Sequence, residues 1–198
     1  MSAEMGLGEI VEAVALADSL KASNRYLTPG WVLDLVRCVW PKGIDLDPFH
    51  DPKSNVGAHS FISIHDGDDA YATPWEDGNR TEYTIFANGP YSGKNPQRTA
   101  ECCALAESRG DEVMNLCPAA PGSDYWAKHV WPRASAIAWM GRLAFEAAID
   151  MHAGDGRLIC KAGKASNGNR TEIALVYSGC QPRLFQRVFS PRAYVTVQ

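Results

Sequence analysis

The chain has 198 residues and a formal net charge of −4, with 45% of its residues apolar and 21% charged. This apolar content, which includes six tryptophans, excludes a disordered chain and is ample for one domain with a hydrophobic core. No apolar run approaches the roughly 18 residues that a membrane-spanning helix needs. The acidic residues Glu4, Glu9 and Glu12 precede any strongly apolar run, unlike the start of a signal peptide. We therefore predict a cytoplasmic protein without a membrane partner.

The first part of the chain predicts an arm, a helix and a short buried strand. Apolar spacing within residues 1–22 indicates an N-terminal helix or arm, which precedes a single domain over residues 23–198. Thr28 is a predicted N-cap, with Pro29 at the first position of a helix that ends at a Pro-Lys-Gly turn. Residues 44–48 form a predicted strand that stops at its proline.

The remainder alternates strands and helices after a long loop over residues 50–80, which is rich in Asp, Gly, Asn and Pro. The predicted elements after this loop are a strand over 84–87, a helix over 96–108, a strand over 112–117, a short helix over 124–130, strands over 134–140 and 171–176, and a short helix or strand over 184–188. This alternation favours an α/β fold with a mostly parallel central sheet flanked by helices. Right-handed crossovers then place Asp47 and Asn88 at one edge of the sheet.

The cysteines and histidines predict no metal site. None of the six cysteines forms a Cys-x-x-Cys pair, and no histidine follows at a ligand spacing. A disulfide framework is also not expected in an intracellular chain.

Charge is unevenly distributed along the chain. Residues 157–198 contain seven basic residues and one acid, a net charge of +6, which leaves −10 on the rest. A basic segment on an acidic body is typical of a protein that contacts a polyanion such as DNA. The alternative is a solvated surface whose sign varies.

The most informative stretch is Asn88-Gly89-Pro90-Tyr91, directly after the predicted strand 84–87. Parallel sheets bind ligands beyond the carboxyl ends of their strands. The side-chain oxygen of Asn88 and the carbonyl of Gly89 can accept the two N–H bonds of an exocyclic amino group on a base and direct its lone pair at a methyl donor. Tyr91 can stack on that base. Alone, Asn-Gly-Pro is also an ordinary turn sequence.

The neighbours of this tetrapeptide follow the motif order of a known family. Across residues 24–180 the chain resembles the phage-type DNA N6-adenine methyltransferase (Dam-like) family, which usually has proline where this chain has Gly89. The matching segments are Tyr26-x-Thr28-Pro29, Asp45-Leu46-Asp47-Pro48, Trp75, Asn88-Gly89-Pro90-Tyr91-Ser92, Leu116-Cys117-Pro118-Ala119-Ala120, Tyr125-Trp126 and Gly141-Arg142-Leu143-x-Phe145.

The resemblance implies a Rossmann-like fold of the class I methyltransferases, with S-adenosylmethionine as cofactor and DNA as partner. The implied reaction transfers a methyl group to adenine N6 after the base has been flipped out of the duplex. Phage or prophage DNA in a bacterial host is the implied setting. The same tetrapeptide chemistry also serves cytosine N4.

The resemblance also indicates which residues bind the cofactor. The matching positions, together with an acidic residue of the following loop, are Tyr26, Thr28, Pro29, Asp47, Pro48, Phe49 and Asp66. The carboxylate of Asp47 is expected to pair with the ammonium group of the cofactor, and a turn aspartate is the alternative. Asp66 is expected either to reach the adenosine or to be solvated.

Four further residues are candidates for substrate contact, namely Trp75, Ser92, Lys94 and Arg98. Trp75 closes the pocket in this interpretation, or else serves as a packing anchor. Lys94 and Arg98 hold phosphates beside the flipped base, or else begin a solvated helix.

Gly89 leaves three interpretations open. Glycine keeps the carbonyl acceptor but frees the backbone torsion that proline restricts, and ordering it costs on the order of 1 kcal/mol more. The chain is then a slower ordinary methyltransferase, an enzyme for a larger or modified base, or a catalytically inactive homologue that binds DNA or a protein partner.

Overall fold

A computed structural model describes residues 25–76, 82–166 and 171–198, so the predicted arm over residues 1–22 lies outside the described residues. The described part contains the helices α1 (Gly30–Val39), α2 (Asn95–Ser108) and α3 (Pro182–Phe189), a 3-10 turn (Ile64–Asp66) and a π-helix (Trp126–Val130). Its strands are β1 (Tyr26–Leu27), β2 (Leu46–Asp47), β3 (Ser60–Phe61), β4 (Thr84–Ala87), β5 (Glu112–Pro118), β6 (Ala136–Gly141), β7 (Glu146–Ala147), β8 (Met151–His152), β9 (Leu158–Cys160), β10 (Ile173–Ser178) and β11 (Tyr194–Val197).

Seven strands form the central sheet in the order β11-β6-β10-β5-β4-β2-β3. The pairs among β3, β2, β4 and β5 are parallel, whereas β10 pairs antiparallel with both β5 and β6, and β11 pairs antiparallel with β6. The predicted α/β class with a helix-flanked central sheet is confirmed, but the sheet is mixed and not mostly parallel in its pairing. The reason is that β10 enters beside the end of β6, with Ile173 opposite Gly141, and so must run in the reverse direction.

Alternate strand residues face two different helical layers. Phe86, Met114 and Leu116 join the cluster that contains the buried residues of α1 and α3. Ile85 and Val113, on the opposite face, pack in the cluster that contains Cys103 of α2. This alternation follows from the two-residue period of a strand, and it buries both faces of the sheet.

Most predicted elements are present, with a few differences at their ends. The strand over 84–87 has the predicted bounds, and residues 184–188 lie within α3. The capping prediction is wrong, because Pro29 is the N-cap of α1 and no side chain caps that helix. Thr28 instead accepts a hydrogen bond from Asn88, which lies 60 residues away, so the capping oxygen is used in tertiary structure.

The strands that the sequence did not predict are short or peripheral. Two of them, β1 and β7, pair with each other, and β8 and β9 form a separate two-stranded sheet. A strand of two or three residues is too short to show an alternation of apolar and polar residues, so the sequence pattern did not predict these strands. No helix of the described residues combines the length and the apolar character that crossing a membrane requires.

The parallel part of the sheet contains a topological switch point. From β2 the chain moves outward to β3 and then returns to β4 on the other side of β2. In such sheets a crevice opens beyond the carboxyl ends of the two strands that flank the switch. Asp47 ends β2 and Asn88 follows β4 directly, so the two residues lie at the same edge, as predicted.

Candidate active site

A cavity of about 360 Å³ lies at this crevice, within the size range of small-molecule sites. Most of the lining residues follow β2, β3 and β4, and the others are Arg25, Tyr26, Phe145 and Ser166. The lining residues are Arg25, Tyr26, Pro48, Phe49, His50, Asp51, Ile62, Ile64, His65, Asp68, Asp69, Ala70, Tyr71, Asn88, Gly89, Pro90, Tyr91, Ser92, Phe145 and Ser166. All four residues of the predicted catalytic tetrapeptide therefore lie on one wall.

Asn88 is held from two sides at the edge of the cavity. Its side-chain nitrogen donates to the hydroxyl of Thr28 at 3.1 Å, and its side-chain oxygen accepts from the hydroxyl of Tyr91 at 3.1 Å. A carboxamide oxygen has two acceptor positions, so one acceptor position remains after the bond from Tyr91. Asn88 is thus fixed in orientation while its oxygen can still accept an N–H bond from a ligand.

Tyr91 is anchored at both its hydroxyl and its ring. The hydroxyl lies 3.1 Å from the side-chain oxygen of Asn88 and 3.2 Å from the carbonyl of Leu116. The ring meets Phe145 edge-on, with centroids 5.8 Å apart. Burial raises the pKa of Tyr91 well above its ordinary value, so the phenol stays protonated and keeps its donor.

Gly89 is buried and closely enclosed. A Cβ at this position would overlap the hydroxyl oxygen of Thr99 and approach the ring of Phe49 to 3.1 Å. Gly89 is not one of the glycines with positive φ. A Cβ at this position would therefore displace a neighbouring side chain, a steric constraint that adds to the freed torsion expected from the sequence.

Asp47 organises the turn behind the cavity wall and does not line the cavity. Only 3% of it is exposed. Its carboxylate accepts from the backbone N–H of Phe49 at 3.1 Å and from the hydroxyl of Ser54 at 3.2 Å. His50 lies 3.6 Å away, and its hydrogen bond to Asp47 raises the pKa of that imidazole. This placement is that of a turn aspartate, the alternative interpretation of this residue.

The other cofactor candidates divide between the lining and the layer behind it. Tyr26, Pro48 and Phe49 line the cavity. Thr28 is buried and supports Asn88, while Pro29 is the N-cap of α1. The last cofactor candidate, Asp66, lies in the loop that follows β3.

Asp66 lies in the 3-10 turn, is exposed and is not part of the lining. Its neighbours Asp68 and Asp69 do line the cavity. The acidic loop thus reaches the cavity through residues two and three positions further along the chain.

The substrate candidates also differ in position. Ser92 lines the cavity, and Lys94 is an exposed residue that precedes α2. Trp75 is buried, donates to the carbonyl of Ala70 at 2.7 Å and packs edge-on against Phe49, which matches its alternative role as a packing anchor.

Arg98 is directed at the loop that precedes β4. Its guanidinium lies 4.0 Å from the centroid of the Tyr71 ring and 3.9 Å from the carboxylate of Asp69. It therefore supports the cavity wall in this structure.

Sequence reasoning missed a charged group at the cavity. Arg25 donates to both carboxylate oxygens of Asp51, at 2.8 and 3.1 Å, and His65 lies 3.6 Å from the same carboxylate. Partial burial, the largest single contribution, opposes ionisation of Asp51, but the hydrogen bonds from Arg25 and from the backbone N–H of Lys53, together with the nearby positive charge, outweigh it and lower the pKa of Asp51. The proximity of Arg25 to the Tyr26 motif was the available signal.

Two further lining residues, Phe145 and Ser166, were not assigned to the site from sequence. Phe145 ends the Gly141-Arg142-Leu143 motif, and its carbonyl accepts from the backbone N–H of Ser166 at 2.8 Å. Their long separation from the tetrapeptide explains why no local pattern found them.

Within residues 25–76, 82–166 and 171–198, no group of three or more His, Cys, Asp or Glu residues is arranged to hold a metal ion. No protein-family model matches the chain, and no curated protein aligns with it significantly. The function of the site is therefore inferred from its own geometry.

Proposed function

We propose that this chain is an S-adenosylmethionine-dependent methyltransferase that acts on an exocyclic amino group of a DNA base, with adenine N6 as the expected target. One observation carries the proposal: Asn88, Gly89 and Tyr91 lie together on the wall of a cavity at the switch point of the sheet. The choice of adenine over cytosine N4 rests on the family resemblance.

The chemistry of the lining fits the proposed cofactor. S-adenosylmethionine has a flat apolar base, a ribose with two hydroxyl donors, an ammonium group and a cationic sulfur. Phe49, Ile62 and Ile64 give the cavity an apolar wall, while Asp68 and Asp69 add acceptors with negative charge. Such a combination suits a ligand that is part aromatic and part cationic.

The residues of the tetrapeptide would position the amino group of the base. When bound, S-adenosylmethionine supplies an electrophilic methyl group. The side-chain oxygen of Asn88 and the carbonyl of Gly89 would accept the two N–H bonds, so that the nitrogen lone pair points away from both acceptors. This would be catalysis by orientation and preorganised acceptors: the new bond from nitrogen to the methyl carbon would form as the methyl–sulfur bond breaks, and the nitrogen would then release one proton to water, so no general base is needed before the attack.

The rigidity of Asn88 supports this role. Its oxygen is fixed by the bond from Tyr91, and its nitrogen by the bond to Thr28. The acceptor therefore needs no reorganisation when the substrate arrives, which is the condition under which such groups contribute most to rate.

A second candidate is a catalytically inactive homologue that binds DNA or a protein partner. The observation in its favour is that both polar atoms of the Asn88 side chain already have partners within the protein. If ligands never reach the remaining acceptor position of Asn88, the cavity binds the cofactor and transfers nothing.

Calorimetry with S-adenosylmethionine and mass spectrometry of nucleosides from treated DNA separate these candidates. We expect cofactor binding together with N6-methyladenine. Binding without any methylated base would reject the enzyme and favour the binding module. N4-methylcytosine would keep the mechanism but replace the target base, and a methylated derivative of a larger base would indicate an adapted pocket.

A further inference from the structure

Thr99 occupies the space in which any residue other than glycine at position 89 would place its Cβ. It lies in the second turn of α2 and is only 2% exposed. A Cβ on residue 89 would overlap its hydroxyl oxygen and would lie 3.1 and 3.2 Å from two ring atoms of Phe49. Gly89 is thus enclosed between the Thr99 hydroxyl and the Phe49 ring.

The same hydroxyl also contacts Tyr71, another residue that lines the cavity. The hydroxyl oxygens of Thr99 and Tyr71 are 3.1 Å apart, and the ring of Tyr71 lies 5.3 Å from that of Phe49. Phe49 follows β2, Tyr71 follows β3 and Gly89 follows β4. Thr99 is therefore the point at which the three segments that form the cavity meet.

We propose that Thr99 is a positioning residue for the loop of Asn88 to Tyr91. The side chain of Thr99 limits the backbone movement of Gly89 by contact, whereas a proline at position 89 would limit it through its own ring. This role rests on the proposed function where it concerns methyl transfer. Its geometric part does not depend on any activity: a Cβ on residue 89 and the hydroxyl oxygen of Thr99 at its position in this structure would overlap, so one of the two must shift.

The first experiment removes the side chain of Thr99. Thr99→Ala deletes the oxygen beside Gly89, so the loop gains freedom, and we expect kcat to fall about tenfold. The affinity for S-adenosylmethionine, measured by calorimetry, should change less than about twofold, because Thr99 does not line the cavity. Thr99→Ser keeps the oxygen and is the matched control, and it should restore most of kcat.

The second experiment uses the reciprocal pair. Gly89→Ala alone forces a Cβ against Thr99 and should lower kcat by about tenfold or more, as overpacking of a closed site does. In the double variant Gly89→Ala with Thr99→Ala, the overlap with the hydroxyl is gone and only the close contact with the Phe49 ring remains, so kcat should exceed that of Gly89→Ala. Such a non-additive cycle is expected only of residues in direct contact.

Amide hydrogen exchange of the peptide spanning residues 86–93 gives a readout that needs no activity. Thr99→Ala should exchange faster than the wild type in this peptide, whereas Thr99→Ser should match the wild type. If the wild type binds the cofactor but methylates nothing, this readout still tests Thr99 separately from the proposed function. Unchanged exchange in Thr99→Ala, or additive effects in the cycle, would overturn the assignment.

Discussion

The two ends of the central sheet carry similar polar residues but use them differently. At the amino end, the carboxylate of Glu112 accepts from the indole of Trp40 at 2.8 Å, the hydroxyl of Tyr177 at 2.9 Å and the backbone N–H of Cys180 at 3.0 Å. At the carboxyl end, the side-chain oxygen of Asn88 accepts one hydrogen bond, and Asn88 lines a cavity. The carboxylate of Glu112 at the amino end thus accepts its hydrogen bonds from within the fold, whereas the side-chain oxygen of Asn88 at the carboxyl end keeps one acceptor position for a ligand.

Cavity size does not distinguish the two ends. The amino end has the larger hollow, of about 1080 Å³, lined by Trp40, Glu107, Glu112 and their neighbours. The smaller cavity is nevertheless the better candidate, because it lies beyond the carboxyl ends of parallel strands and contains an oriented acceptor. Position in the sheet and unused hydrogen-bonding capacity are more informative here than volume.

The largest effect is expected for Asn88→Ala, at the carboxyl end of the sheet. This change removes a fixed acceptor at the carboxyl end, and we expect kcat to fall by about 10²–10³, as for the loss of one preorganised group in other enzymes. Calorimetry should give nearly unchanged affinity for S-adenosylmethionine. Retained methyl transfer in the assay of treated DNA would reject Asn88 as the amino-group acceptor.

A change at the amino end of the sheet should lower stability and leave activity intact. Glu112→Ala leaves the donors of buried Trp40 and Tyr177 and the backbone N–H of exposed Cys180 without this acceptor, and we expect the free energy of unfolding to fall by about 3 kcal/mol. Methyl transfer per folded molecule should be preserved. Urea denaturation measures the first effect, and Glu112→Gln, which keeps one acceptor, should lose less. A loss of activity without a loss of stability would reverse the roles assigned to the two ends.

Glu107 is the exception at the amino end, because one of its oxygens is buried without a hydrogen-bond partner among the described residues. Burial raises the pKa of Glu107 to about 7, and the hydrogen bond with Ser178 and the charge of Arg133, 3.7 Å away, offset this only in part. The folded state thus retains a proton that the unfolded state releases, so the stability contributed by this group is full below about pH 4.5 and is lost as pH rises to about 7.

Glu107→Gln keeps the neutral shape at every pH, so it should match the wild type near pH 4.5. At pH 8 it should be more stable by about 1–2 kcal/mol. Thermal denaturation at both pH values measures the difference. The exposed Glu101 on the same helix provides the matched control, Glu101→Gln. An equal stability difference at both pH values would contradict the raised pKa.

The sequence predicted what short local patterns determine. The strand over 84–87, the turn after it and the meeting of Asp47 and Asn88 at one edge follow from apolar runs, breakers and crossover handedness. It did not predict the reversed β10 or the pairing of β1 with β7, since both depend on contacts between distant segments. The two-residue strands β1 and β7 have no period to detect.

In the candidate site, too, the sequence predicted only what short local patterns determine. Asn88, Gly89 and Tyr91 were predicted as candidates from the tetrapeptide, and the structure places them on one wall. The enclosure of Gly89 by Thr99 was beyond prediction, because the threonine lies ten residues away on a helix and nothing in the sequence reports distances between side chains. Asp47 is a second example. The motif around it predicted contact with the cofactor, but in the structure its carboxylate accepts hydrogen bonds within the turn that follows β2.

The smallest expected effect concerns the proposed contact between DNA and the basic residues of 157–198, which are distributed over both ends of the sheet. Lys161 and Lys164 are exposed in the excursion after β6, near the cavity residue Ser166, whereas α3 with Arg183 and Arg187 starts at the amino end beside Gln181. If DNA approaches the cavity, the two lysines lie closer to its phosphates than the two arginines.

Replacing both lysines by alanine should therefore weaken DNA binding by about tenfold. It should also lower the slope of log K against log salt concentration by up to about 0.9 for each phosphate that a lysine no longer neutralises. The double variant Arg183→Ala with Arg187→Ala is matched in charge and should leave the slope nearly unchanged. Fluorescence anisotropy at several salt concentrations measures both. A slope that depends on the arginines instead would move the DNA to the face of α3, and an extruded base would then have no short path from the duplex to Asn88.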